Sequence, residues 1–173
     1  FMLLAIAFSS LAFSITYASA QASSTKKVAE KTDWSVFVDE NPTECWAVSK
    51  PKKTLNTLNG KPVKAIRGEI LLFVFYRPDE EVTGQITFTG GYPFAKKPVE
   101  IDIDGKKFSL PTVEKQWAWS ATSEDDKKIL AALKLGGKAR ITGYSSRGKT
   151  TIDTFSLIGL TAATDEAKKR CSE

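Results

Sequence analysis

The sequence of 173 residues contains no histidine and only two cysteines. The absence of histidine excludes Ser-His-Asp and Cys-His catalysis and every metal site that uses an imidazole ligand. Two cysteines are too few for a four-thiolate metal site. We therefore predict no metal, no cofactor and no catalytic residue, and we expect a protein that is not an enzyme.

Two segments imitate ligand-binding motifs without the context that those motifs need. Residues 143–150 match the phosphate-binding pattern G-x-x-x-x-G-K-[ST], but a β-branched stretch follows where a helix should begin. Residues 100–105 match the start of a calcium loop, yet Pro111 stands at the twelfth position, where that loop needs a glutamate. Both segments are typical of β-hairpins, so we expect neither nucleotide nor calcium.

The amino-terminal segment predicts export. Residues 1–20 carry no charge, are mostly apolar and end in Ala18-Ser19-Ala20. An apolar core followed by an A-x-A site is typical of a cleaved signal peptide, and the alternative is an uncleaved membrane anchor. We predict that residues 1–20 are removed, which makes the protein periplasmic or secreted and not integral to a membrane. The net charge of +5 is scattered, and no nucleic acid partner is expected for an exported protein.

The rest of the chain predicts a flexible lead-in over 21–32 and a single β-rich domain over 33–173. Short β-branched and aromatic runs alternate with turns predicted at Asn59-Gly60, Asp104-Gly105 and Arg147-Gly148. They predict an all-β, mainly antiparallel β-sandwich or flattened barrel with two short helices, one from Ser123 and one over 161–170. The run 70–76 is apolar on both faces, which predicts a central strand covered on both sides. The predicted strands are 34–38, 45–49, 69–76, 82–88, 98–103, 107–110, 115–119, 138–145 and 150–157.

The two cysteines predict one intramolecular disulfide between Cys45 and Cys171. An exported chain places both thiols in an oxidising compartment, where an even pair is normally bridged. The alternative is one buried thiol and one reactive thiol that joins two chains.

A few aromatic and polar residues are candidates for a binding surface. Trp117 and Trp119 share one face of a strand, Tyr92 follows a Gly-Gly pair in a tight loop, and Arg147 lies in a predicted turn. Tryptophans on one face can form a platform for sugars or for a partner's apolar side chains, but a place in the core is the favoured interpretation of this pair. A carboxylate pair for hydrolysis could come from several acidic residues, and no spacing selects one. Those residues are Asp33, Asp39, Glu40, Asp79, Glu80, Glu81 and Asp153.

Six stretches give the chain a resemblance to a bacterial protein family. They are residues 33–37, 45–49, 67–74, 87–95, 145–148 and 153–157, which read DWSVF, CWAVS, RGEILLFV, TFTGGYPFA, SSRG and DTFSL. With these motifs the chain resembles the invasion associated locus B family of exported alphaproteobacterial proteins. The resemblance implies an envelope or secreted location, no enzymatic activity, and a contribution to host association in pathogenic relatives.

The functional prediction combines these observations. We expect a non-enzymatic, exported interaction protein of the invasion associated locus B type, which contributes to cell-surface or host association through a protein, envelope or glycan partner. The alternatives are a carbohydrate-binding module that uses exposed aromatic residues and, less favoured, a carboxylate-based hydrolase.

Overall fold

Two antiparallel β-sheets face each other in the computed structural model, which describes residues 25–40 and 43–172. The predicted signal peptide lies outside these residues. Sheet A has seven strands in the order β1-β2-β3-β6-β7-β11-β10, and sheet B has six in the order β5-β4-β13-β12-β8-β9. Sheet A contains β1 Lys26–Lys31, β2 Trp34–Glu40, β3 Thr43–Ser49, β6 Leu71–Arg77, β7 Val82–Thr89, β10 Thr112–Glu114 and β11 Trp117–Trp119. Sheet B contains β4 Lys53–Leu58, β5 Lys61–Pro62, β8 Val99–Ile103, β9 Lys106–Leu110, β12 Lys138–Tyr144 and β13 Lys149–Ser156.

Two helices complete the fold, α1 Ser123–Leu135 and α2 Leu160–Arg170, and a short 3₁₀ helix spans Pro78–Glu80. The predicted fold class, a mainly antiparallel sandwich with two short helices, is confirmed. Helix α1 is capped by Thr122, one residue before the predicted start, because its hydroxyl accepts a hydrogen bond from the main-chain N–H of Asp125. Among the described residues, neither helix is long and apolar enough to cross a membrane.

The hydrophobic core lies between one face of sheet A, called the inner face, and a layer formed by sheet B and both helices. Phe88 of β7 packs edge-on against Phe155 of β13, with ring centroids 6.2 Å apart. The indole N–H of Trp34 in β2 donates to the main-chain oxygen of Ser156 at 3.0 Å, which also ties the two sheets together. These contacts join strands that are far apart in sequence, so sheet B and sheet A form one core.

Helix α2 covers the part of the inner face formed by β2 and β3. The helix buries its small residues Ala163 and Ala167 completely. Just beyond its end, Cys171 forms a disulfide with Cys45 of β3, with the two Cα atoms 5.8 Å apart. The predicted intramolecular bridge is confirmed, and the described residues include no free cysteine.

Helix α1 is anchored to a bulge in sheet A. The register between β6 and β7 shifts between Phe75 and Tyr76, and Gly84 on the facing strand has a φ of +98°. The carboxylate of Asp126 accepts a hydrogen bond at 2.8 Å from the main-chain N–H of Ile86. Ile86 keeps its regular pairing with Val74 and lies next to the last residue of β7 that pairs with β11, so its N–H is available to the helix.

Three predictions about the strands need correction. Residues 26–31 belong to the predicted flexible lead-in, but they form β1, an edge strand paired with β2. The predicted strand 115–119 is a strand only over 117–119, since residues 115 and 116 form the turn between β10 and β11. Strands β4 and β5 had no counterpart among the predicted strands. By contrast, the turns predicted at Asn59-Gly60, Asp104-Gly105 and Arg147-Gly148 each connect paired antiparallel strands.

Candidate functional site

The outer face of sheet A, which points away from the core, carries a row of aromatic side chains. Strand pairing places Phe37 opposite Trp46, and Trp46 opposite Phe75, so three neighbouring strands present one ring each. Phe73 lies two residues from Phe75 on the same strand face, and Trp117 lies farther across the sheet on β11. We call these five residues, together with Trp119, the aromatic face.

Five rings of the aromatic face, all except that of Trp119, contact one another in a row across the sheet. Phe37 stacks on Trp46 with centroids 5.6 Å apart and planes within 10°. Trp46 meets Phe75 at 5.9 Å, and Phe75 stacks on Phe73 at 5.0 Å. Phe73 in turn meets Trp117 at 5.8 Å. The guanidinium of Arg77 also lies over the Phe75 ring, 4.7 Å from its centroid, in a cation–π contact.

Two grooves follow the aromatic face. The larger has a volume of about 490 Å³ and an apolar floor that includes Phe37, Trp46 and Phe73. The second, of about 450 Å³, is lined by Trp117 and Trp119 together with residues of β6 and β7. Within the described part of the chain, both grooves open on the side of sheet A that neither sheet B nor a helix covers. The aromatic side chains, apart from the buried Phe73, therefore line an open surface.

Charged residues at the borders of this surface are paired with each other. At one border Lys52 contacts Asp33 at 2.5 Å, and Lys50 contacts Glu69 at 3.1 Å. At the other border Arg77 is paired with Glu44. The border charges therefore largely cancel. The floor of the larger groove is apolar at Phe37, Trp46 and Phe73, whereas β7 adds the polar side chains of Gln85 and Thr87 to the second groove.

The predicted place of the tryptophan pair in the core is wrong. Ala118, which lies between the two tryptophans, is the buried residue of β11, whereas Trp117 and Trp119 are half-buried on the outer face. Since neighbouring residues of a strand point to opposite sides, the small alanine packs against the core and both indoles lie on the aromatic face.

Tyr92 and Arg147, the other two candidates, lie in a different place. Both line a cavity of about 220 Å³ that also contacts Asn56, Arg67 and Lys149. This cavity shares no lining residue with either groove of the aromatic face. The structure thus divides the four predicted binding residues into two pairs at separate surfaces.

A buried ion pair forms the base of this cavity, which we call the Arg67 cavity. The guanidinium of Arg67 donates to both carboxylate oxygens of Asp153, at 2.8 and 2.6 Å, and their side chains are 6% and 0% exposed. Arg67 also donates to the main-chain oxygen of Gly90 at 2.9 Å and to the side-chain oxygen of Asn56 at 3.3 Å. Four of its five N–H donors are therefore occupied, which fixes the side chain.

Tyr92 closes one side of the ion pair. The centroid of its ring lies 5.0 Å from the guanidinium carbon of Arg67, and its hydroxyl is 2.6 Å from the hydroxyl of Thr151. Burial raises the pKa of the Tyr92 phenol to about 12, so it stays protonated and can donate. Gly91 makes this loop possible, since its φ is +71° and a Cβ there would lie 2.6 Å from the main-chain oxygen of Gly68.

Two of the carboxylates considered for hydrolysis, Asp153 and Asp33, are paired with cationic side chains. Burial raises the pKa of the Asp153 carboxyl, and the guanidinium of Arg67 opposes that rise. Hydrogen bonding from the Lys52 ammonium lowers the pKa of Asp33. A general acid needs both a raised pKa and contact with its substrate. Asp153 has the raised pKa, but it is fully buried beneath Arg67.

The two motif-like segments form hairpins, as predicted. Residues 143–150 run from the end of β12 through a turn into β13, without a following helix. In the other segment, Asp102 accepts hydrogen bonds from the main-chain N–H of Gly105 and from Lys107. The described residues contain no group of three or more side chains that could hold a metal ion.

Comparison with known proteins adds no relative. No family model, curated protein or solved structure matches the chain.

Proposed function

We propose that this protein is a non-enzymatic interaction protein of the invasion associated locus B type, periplasmic or secreted, which binds a protein partner through the aromatic face. The observation that carries the proposal is strand β6. Its sequence is apolar on both sides, yet the described residues form a covering layer on the inner side alone. A strand that is apolar on both sides favours burial of both sides, and a bound partner would bury the outer one.

The ring contacts favour a protein partner over a sugar. A sugar stacks on the open face of an aromatic ring, but Trp46, Phe75 and Phe73 each have ring neighbours on the sheet. Rings that already pack against one another offer mainly their edges to a ligand. Apolar and aromatic side chains of a protein accept such edges, since edge-to-face contacts are among the preferred aromatic arrangements.

The paired border charges support the same partner class. Because Lys50, Lys52 and Arg77 each contact a carboxylate, the aromatic face has no uncompensated charge at these places. An interface with an apolar centre and a polar rim is the usual anatomy of a protein–protein contact. The partner surface should therefore be apolar at its centre and close to neutral.

The location is supported by the disulfide and by the amino-terminal sequence. Structural disulfides are typical of compartments outside the reducing cytoplasm. The uncharged apolar segment with its A-x-A site adds the finer proposal of export through a cleaved signal peptide. The resemblance in sequence motifs extends the role to cell-surface or host association.

A carbohydrate-binding module is the second candidate, and one observation favours it. Trp119 lines the smaller groove and has no stacked or edge-on ring neighbour among the described aromatic contacts. Its indole could therefore stack a sugar ring.

An affinity capture with matched variants tests the proposal. The mature chain is immobilised and exposed to bacterial envelope extract, beside Phe37→Ala, Trp119→Ala and the control Leu55→Ala. Leu55 is also apolar and 38% exposed, but it lies on the outer face of sheet B. We expect one protein to be retained by the wild type and by the control, and to be lost with Phe37→Ala.

A glycan array separates the two candidates. Sugar binding that disappears with Trp119→Ala and survives Phe37→Ala would support the carbohydrate module. If the same protein is captured by all variants, the aromatic face is not its binding surface.

A further inference from the structure

The Arg67 cavity has a chemical character that the aromatic face lacks. Its lining includes the cationic residues Arg67, Arg147 and Lys149, and it includes no carboxylate side chain. We infer that this cavity is a binding site for a small organic molecule that carries an oxyanion, either a carboxylate or a phosphate.

The positive charge of the cavity favours an anionic ligand. Beneath its floor, Asp153 neutralises Arg67 through two hydrogen bonds. Arg147 and Lys149, at the entrance, form no ion pair with any carboxylate in the described part of the chain. Two positive charges therefore remain uncompensated at the entrance, and an anion entering the cavity would neutralise them.

Hydrogen bonds fix the main chain of the turn that carries Arg147 at the entrance. The main-chain N–H of Arg147 donates to the hydroxyl of Ser145 at 3.0 Å, and that of Gly148 donates to the main-chain oxygen of Ser145 at 2.9 Å. The N–H of Ser146 donates to Pro93 at 3.0 Å, which joins the turn to the loop opposite. Because the main chain of the turn is already ordered, binding does not have to order it, which lowers the entropic cost.

The cavity also offers hydrogen-bond donors to a ligand. Asn56 accepts from Arg67 through its side-chain oxygen, which leaves its amide nitrogen without a partner among the described hydrogen bonds. The hydroxyl of Ser146 is exposed at the same entrance. Amide and hydroxyl donors beside an arginine and a lysine are the groups that bind carboxylate and phosphate oxygens.

The volume of the cavity and its apolar side limit the size and the polarity of the ligand. A volume of about 220 Å³ lies below the range of about 300–1,000 Å³ that holds drug-sized ligands, so a nucleoside triphosphate is too large. Ile66, which is fully exposed, and Pro93 form an apolar side of the cavity. A ligand of monosaccharide size with one oxyanion and one less polar face fits these dimensions.

Titration calorimetry on the disulfide-bonded mature chain tests the inference with D-glucuronate, inorganic phosphate and D-glucose. Glucose is the neutral counterpart of glucuronate. We expect one or both anions to bind and glucose not to bind. Arg147→Ala should weaken anion binding at least about tenfold, the effect of losing one charge-assisted hydrogen bond.

The control variant is Lys106→Ala, which removes the same charge at the turn between β8 and β9, at the opposite end of sheet B. It should leave anion affinity within about twofold, since screening suppresses a distant charge. Glucuronate bound without phosphate identifies a carboxylate site, and the reverse identifies a phosphate site. Equal binding of glucose, unchanged binding by Arg147→Ala, or no anion bound up to about 10 mM would overturn the inference.

Discussion

The buried pair Arg67–Asp153 should dominate the stability of the Arg67 cavity. Replacing Arg67 by Met keeps an unbranched side chain and leaves the carboxylate of Asp153 buried without its cation. Removing one partner of a buried ion pair costs about 3–5 kcal/mol, because the remaining charge is uncompensated. The whole free energy of unfolding of a domain is only about 5–15 kcal/mol, so Arg67→Met should be severely destabilised.

Urea unfolding followed by tryptophan fluorescence measures this cost. With a slope of about 2 kcal/mol per molar urea, a loss of about 4 kcal/mol lowers the midpoint by about 2 M. The control is the double variant Arg67→Met with Asp153→Leu, which removes both charges and keeps similar volumes. We expect it to recover at least about 2 kcal/mol over the single variant, since no buried charge is left.

Two results would refute this reasoning. One is a midpoint for Arg67→Met within about 0.5 M of the wild type, which would mean that the pair contributes little. The other is a double variant no more stable than the single one, which would mean that lost packing, and not the unpaired carboxylate, causes the effect.

Three further predictions concern the disulfide, a buried carboxyl and a glycine. The bond between Cys45 and Cys171 closes a loop of 126 residues, so reducing it should lower the free energy of unfolding by up to about 5 kcal/mol. Urea titrations with and without reductant measure this loss, and an unchanged midpoint would contradict it. Burial raises the pKa of the Asp126 carboxyl, so its ionisation destabilises the fold as the pH rises above about 3.8. The stability of Asp126→Asn relative to the wild type should therefore increase between pH 4 and pH 7. A decrease over this range would contradict the raised pKa. Gly91→Ala adds a close contact to an unfavourable φ, whereas Gly148→Ala adds only the φ of +80° with nothing within 4 Å, so Gly91→Ala should show the lower melting temperature.

The sequence predicted those parts of the fold that local chemistry determines. Asp104-Gly105 has positive φ at both residues, and this preference is strong enough to specify the hairpin from the sequence. Strand β1, by contrast, is rich in lysine because it is an edge strand, and edge strands use charge to prevent unwanted pairing. Its sequence therefore looks like a flexible lead-in although it pairs with β2.

The candidate sites were harder to predict because they depend on contacts between distant residues. The tryptophans of β11 share a face, but the sequence does not say which face packs against the core. The small Ala118 between them was the available signal. Arg67 and Asp153 are 86 residues apart, and no local pattern joins them. The apolar run 70–76 predicted a strand covered on both sides, but residues 25–40 and 43–172 cover only its inner side, and this difference motivates the proposed interface.

Calorimetric affinity for the purified partner tests the central claim most directly. The partner retained in the capture experiment is titrated into the wild type, Phe37→Ala and Leu55→Ala. If the aromatic face is the binding surface, Phe37→Ala should weaken binding by about thirtyfold, the effect of a hot-spot residue of about 2 kcal/mol, while Leu55→Ala binds like the wild type. Equal affinities for all three proteins, with each variant folded, would contradict the proposal.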